Sequence, residues 1–140
     1  MKVQFSIPGE PQGKERPRFS KRGQNTYTPA KTQNYERLVA LQYKSHCRYK
    51  FDEKVPLLVG IRAYFRIPKS VSKKVAADMR NNKIRPTKRP DVDNIIKIVL
   101  DSLNGVAYHD DAQVAECVVL KFYSDNPRID VTIQNIEKED

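Results

Sequence analysis

Residues 57–67 read LLVGIRAYFRI, with Leu57, Val59, Ile61, Ala63, Phe65 and Ile67 at alternate positions. A side-chain period of two marks a strand with one face in the core, and Pro68 ends it. Downstream the period changes. From Asp93 to Leu103 the apolar residues Ile96, Val99, Leu100 and Leu103 share one face at helical spacing, and Asn104-Gly105 is a strong C-terminal stop. Upstream, Val3, Phe5 and Ile7 alternate with polar residues up to Pro8, which predicts a short half-buried strand. A loop rich in Pro, Gly and cations follows. Thr28-Pro29 then reads as an N-cap followed by proline at the first helical position, opening a helix that reaches about Cys47. Residues 70–81 suggest a further short helix. Gln113–Tyr123 and Arg128–Ile133 are β-rich runs separated by Ser-Asp-Asn-Pro, which reads as a hairpin. The expected order is β-α-β-(α)-α-β-β, an α+β fold on a mixed sheet of about four strands. With 140 residues and no internal repeat, the chain reads as a single domain over 1–140.

Charge is segregated along this chain. Residues 1–90 hold 22 Lys and Arg against 6 Asp and Glu, whereas residues 91–140 hold 4 basic and 11 acidic side chains. The overall net charge of +9 points to a polyanionic partner, with solubility alone as the plain alternative. No apolar run approaches the length of a membrane span, and no charged-then-apolar leader opens the chain, so a cytoplasmic protein without a membrane role is expected. Two cysteines, Cys47 and Cys117, are too few for a disulfide framework and lack metal-ligand spacing.

Between Arg89 and Gln113 the sequence is RPDVDNIIKIVLDSLNGVAYHDDAQ, an island of carboxylates in a basic protein. Clustered carboxylates repel unless a cation or proton neutralises them. A hard divalent ion such as Mg²⁺ is the usual neutraliser, and it also grips phosphate oxygens. On a helix, Asp93, Lys97, Asp101 and Asn104 fall in one arc opposite the apolar face. Asp91 lies just before that arc, and in an extended entry segment it shares a side with Asp93. From Asp93 to Asn104 the helix advances by roughly 16 Å. The seven residues from Asn104 to Asp111 reach roughly 23 Å when extended. The chain is thus long enough to return Asp111 to Asp91 and Asp93. Plain structural roles compete with each of these. Asp91 or Asp93 can cap the helix, Asp93, Lys97 and Asp101 can form i,i+4 pairs, and Asp110-Asp111 can be a turn. Asp101 reads mostly as a partner of Lys97 or a residue standing behind the ligands. His109 reads as a turn residue rather than a general base, since a metal-activated water needs no histidine.

The string R-P-D-x-D-N-x-x-K-x-x-x-D-x-L-N-G followed by D-D-x-Q resembles the motif of the RusA-type Holliday junction resolvases of bacteria and their phages. GEPQGKERPRF and YTPAKTQNYE are similar to phage members of that family, so the likeness extends over most of the chain. The resemblance implies Mg²⁺ ligands at Asp91, Asp93 and Asp111, and a functional lysine at Lys97. Asn94, Asp101 and Asp110 would support them from behind. It further implies a homodimer that binds four-way DNA junctions and nicks two strands symmetrically. The Asn104-Gly105 turn is longer in some members, so Asp111 is the least direct transfer.

Lys14, Arg16, Arg18, Lys21 and Arg22 lie within nine residues, with Phe19 among them, and Lys88 and Arg89 lead directly into Asp91. As phosphate contacts they would position DNA without reading its sequence. Tyr27 can stack on a base but reads more simply as packing. The leading expectation is a Mg²⁺-dependent endodeoxyribonuclease acting on four-way junctions in recombination and repair. A non-catalytic junction-binding protein with a structural acidic cluster is the main alternative. An enzyme of free nucleotides is a third, and it would need a deep pocket.

Overall fold

A computed structural model describes residues 1–20, 23 and 25–137. In chain order they form β1 (Lys2–Pro8), β2 (Arg18–Phe19), β3 (Thr26–Tyr27), α1 (Ala30–His46), β4 (Leu57–Arg66), α2 (Lys73–Arg80), α3 (Val92–Leu103), a 3₁₀ turn (Asp111–Gln113), β5 (Val114–Ser124) and β6 (Arg128–Asn135). The α+β order expected from periodicity is present, with the two-residue strands β2 and β3 added as a small ribbon inside the N-terminal loop.

The principal sheet runs β1-β6-β4-β5. β6 is antiparallel to both β1 and β4, whereas β4 and β5 are parallel. The expected hairpin across Ser-Asp-Asn-Pro is therefore not formed: β5 and β6 follow one another in sequence but are not neighbours. The connection from β4 to β5 contains α2 and α3, and such a crossover returns the chain parallel to its first strand. β6 then runs back on the far side of β4. Its own side chains explain the choice, because Ile129, Val131 and Ile133 are at most 1% exposed. Between β1 and β4, with the helices above, these side chains are fully covered. β5, which carries Glu116 and Lys121, takes the edge instead.

Alternation on β1 and β4 buries Val3, Phe5 and Ile7, and Leu57, Val59, Ile61, Ala63 and Phe65, on the face that carries the helices. From α1, Tyr35, Val39 and Tyr43 meet them; from α3, Ile95, Ile98, Val99 and Leu103. Helix α1 begins later than expected. Pro29, at φ −54° and ψ 145°, occupies the N-cap position and no side chain caps it. Thr28 instead offers its carbonyl to Gln33 Nε2 at 2.7 Å. Ser72 Oγ does cap α2, accepting from the Val75 N–H at 3.2 Å. At the end of α3, Gly105 has φ +73°, a left-handed conformation that favours glycine.

Helix α3 links the core to the surface motif, so its buried face sets the motif's position. Ile98 is fully buried there. Ile98→Ala is expected to cost about 3 kcal/mol, read as a lower urea midpoint with an unchanged slope.

Candidate active site

Asp91 occupies the N-cap position of α3, where its carbonyl accepts from the Ile95 N–H at 3.0 Å. Its side chain makes no capping hydrogen bond, so the plain role of helix cap is not the one it plays. Asp93 stands in the first turn, and both carboxylates are exposed. Lys97 is exposed one turn later. Among the described residues neither Asp93 nor Lys97 forms an ion pair, so the expected Asp93–Lys97–Asp101 ladder does not exist.

Asp101 has a different partner. Lys14 Nζ lies 3.5 Å from its carboxylate and 2.9 Å from Glu36 of α1. Burial pulls the Lys14 ammonium down, but Glu36 and Asp101 together more than compensate, leaving it raised. Lys14, expected on the DNA, is thus a clamp between α1, α3 and the N-terminal loop. Its backbone N–H donates to the Asn94 carbonyl at 2.9 Å, and Gly13 lies so close to α3 that an added Cβ would sit 2.7 Å from Pro90 Cβ. Asn94 therefore anchors the loop through its backbone. Of the other expected phosphate contacts, Arg16, Arg18 and Arg89 are exposed. Arg18 lies 3.7 Å from Glu15, and Lys88 is half-exposed, 3.8 Å from Glu10. Lys21 and Arg22 lie outside the described residues.

At the far end of α3 the chain is tied down rather than returned. The Asn104 side chain accepts from the Asp111 backbone N–H at 2.7 Å. Gly105 N–H donates to the Tyr108 carbonyl at 2.9 Å, and the buried Tyr108 hydroxyl donates to the Leu100 carbonyl at 2.6 Å. Asp110 and Gln113 form a capping box around the 3₁₀ turn, which accounts for Asp110 structurally. Gln113 also donates to the carbonyls of Asp52 and Val55 at 2.9 and 3.1 Å. His109 offers only its backbone N–H to this network, at 2.9 Å from Gln113 Oε1. Asp111 is left beside Asp110, and its carboxyl is raised, first by burial and then by the shared hydrogen bond with Asp110.

The three expected ligands therefore stand at opposite ends of one helix. Asp91 and Asp93 lie at its start. Asp111 is held beside Asn104, about 16 Å farther along the axis than Asp93. Among the described residues, no three Asp, Glu, His or Cys side chains are placed to hold one metal ion. A single chain does not fit a three-carboxylate ion.

One residue near the motif was not singled out from sequence. Lys121 of β5 falls at an inward position, after Cys117 and Val119, where a cation is out of pattern. Burial pulls its ammonium down, against the opposing charge of Asp91. Its Nζ donates to the Lys88 carbonyl and lies 5.1 Å from the centre of the Phe65 ring. The signal was a lone lysine inside an apolar alternation.

Residues 8–134 match the model of a protein family described as Endodeoxyribonuclease RusA. The uncharacterized protein YqaN of Bacillus subtilis (strain 168) is 38% identical over 138 residues, spanning 96% of each chain.

Proposed function

This chain belongs to the RusA endodeoxyribonuclease family, and on that premise we propose that it cleaves four-way DNA junctions by paired, Mg²⁺-dependent nicks. One observation carries the reading: among the described residues, Asp91, Asp93 and Lys97 line the exposed face of α3 without ion-pair or capping partners to occupy them. Structural carboxylates would be spent on caps and pairs, as Asp110 and Asp101 are.

The separation of the acids along α3 gives the homodimer a chemical purpose. Two copies related by a two-fold axis across the middle of this helix bring the start of one beside the end of the other. Asp91 and Asp93 of one copy then hold Mg²⁺ together with the partner's Asp111. The two-fold makes two such sites, one for each strand to be nicked. The ion supplies charge neutralisation at the scissile phosphate. Lys97 donates to a phosphate oxygen, and Arg16, Arg18 and Arg89 hold the backbone on either side. The Asp111 carboxyl is raised by burial and by Asp110, and a neighbouring cation would favour its charged form.

The test is cleavage of a synthetic four-way junction, a matched linear duplex and a flap, with Mg²⁺ and with EDTA. Symmetric nicks in the junction in Mg²⁺ alone are expected. Tight junction binding with no Mg²⁺-dependent scission would replace this reading with that of a non-catalytic binder.

A further inference from the structure

Helices α1 and α3 pack on one face of the sheet. The other face is open, and the strand registers lay its side chains out in rows. Arg128, Tyr64 and Phe122 make one row across β6, β4 and β5. Asp130, Arg62 and Leu120 make the next, followed by Thr132, Gly60 and Val118. A groove of about 930 Å³ lies over the last two rows, with Lys2 of β1 at one side and Val118 and Leu120 at the other. Gly60 keeps its floor low, since an added Cβ would sit 2.7 Å from Thr132 Oγ1.

The first row is a column of alternating charge and ring. Arg128 Cζ lies 4.0 Å from the centre of the Tyr64 ring, and Tyr64 stacks on Phe122 at 5.4 Å with the planes 24° apart. Arg85, from the connector before α3, sets its Cζ 4.2 Å from the centre of the Phe122 ring. The ring faces are thus taken, and what the column offers a ligand is guanidinium groups held in place. A stacked guanidinium still donates along its edges, and one already fixed loses less freedom on binding. Arg128 is engaged with Asp130 at 3.1 Å. Arg62 and Arg66 are exposed on β4 and form no ion pair among the described residues. The outward strand positions therefore carry Lys2, Arg62, Arg66 and Arg128 against Asp130 and Glu116, with Arg85 added beside them. Asp130 is already occupied by Ser6 and Arg128.

We propose that this open face is a second nucleic-acid site, on the side of the sheet away from α3, and that it takes single-stranded DNA. It stands whether or not the chain nicks junctions. Charge and apolar exposure together select the occupant. Val118 is 53% and Leu120 36% exposed, next to Arg62. A single strand presents an anionic backbone and unpaired apolar bases to such a surface, whereas a duplex hides its bases and has no use for the apolar half. A second copy laid face to face would bring two cationic faces together. The strand is DNA because the family acts on DNA. Arg85 and Lys88 carry positive charge around the edge of β5, from the open face to the side where Asp91 stands.

The test is fluorescence anisotropy with the full chain in EDTA, using a labelled oligo(dT) of about 16 nucleotides and a blunt duplex of the same length. Arg62→Glu and Arg66→Glu are combined in one protein, at exposed positions where circular dichroism is expected to show an unchanged fold. Oligo(dT) binding is expected to weaken about 10-fold or more, and its salt slope to fall by about 1.4 for two lost phosphate contacts. Duplex binding stays within about two-fold, because its phosphates meet the other face. Photo-cross-linking of 4-thiothymidine in the same oligonucleotide is expected to label the peptide holding Val118, Leu120 and Phe122. Undiminished oligo(dT) binding by the folded variant overturns the site, as does an equal loss on the duplex. So do cross-links confined to the N-terminal loop, or polyglutamate of matched charge binding as tightly as oligo(dT). Junction cleavage by the unchanged chain reports on the nuclease reading separately. A chain that never nicks a junction but loses oligo(dT) with these changes keeps this site and removes the nuclease, and the opposite pair of results does the reverse.

Discussion

Asp93→Asn is expected to slow junction cleavage by about 1000-fold or more, while binding to the same junction stays equal or becomes tighter. The side chain is exposed, caps nothing and, among the described residues, pairs with no cation, so its replacement takes no described stabilising contact from the fold. What it removes, on the proposed reading, is one negative charge from a face that accepts both a cation and a phosphodiester. Losing the first function abolishes the chemistry; losing the repulsion helps the DNA to bind. Single-turnover cleavage and a gel shift on one junction separate the two effects. Cleavage at the native rate in Mg²⁺ would remove Asp93 from the site. Asp101→Asn is a useful contrast, because that carboxylate is engaged with Lys14 at 3.5 Å. Its loss acts on the clamp between the N-terminal loop and α3.

Much of this geometry is local and was legible. Ile96, Val99, Leu100 and Leu103 announce α3, and Leu57 to Phe65 announce the strand beneath it, because burial imposes a period on neighbours in sequence. Asn104-Gly105 marks the helix end because only a residue tolerant of positive φ turns the chain there. Contacts between distant residues were not legible. Lys14 clamps Asp101 from the other end of the sequence, and nothing in a single string distinguishes that lysine from Arg16 or Arg18 nearby. The place of β6 was hidden for a related reason. A short turn between two β-rich runs favours a hairpin locally, but β6 instead lies between β1 and β4, where Ile129, Val131 and Ile133 are buried beneath the helices. The reach from Asn104 to Asp111 was long enough for a return to Asp91. Local hydrogen bonds, among them the one the Asp111 N–H donates to the Asn104 side chain, hold the segment at the far end of α3 instead.

That hydrogen bond leads to the second large effect. With Asp91 and Asp93 at one end of α3 and Asp111 at the other, each variant lacking one acid should be dead alone and partly alive in company. Asp93→Asn and Asp111→Asn chains, exchanged into mixed dimers, leave one site with its full set: Asp91 and Asp93 from the second chain, Asp111 from the first. At equal mixing half the dimers are mixed and each has one sound site, so about a quarter of the native sites return. Because a lone site cuts one strand, the product is a nicked junction rather than a resolved pair of duplexes.

The decisive measurement is therefore junction nicking by the two inactive variants, each alone and then mixed after subunit exchange, with Mn²⁺ binding followed by calorimetry on the same samples. Restored single-strand nicking, with one ion bound per mixed dimer, is the expected result. Two variants that stay inactive together, in dimers shown to have exchanged, would contradict a site shared between copies.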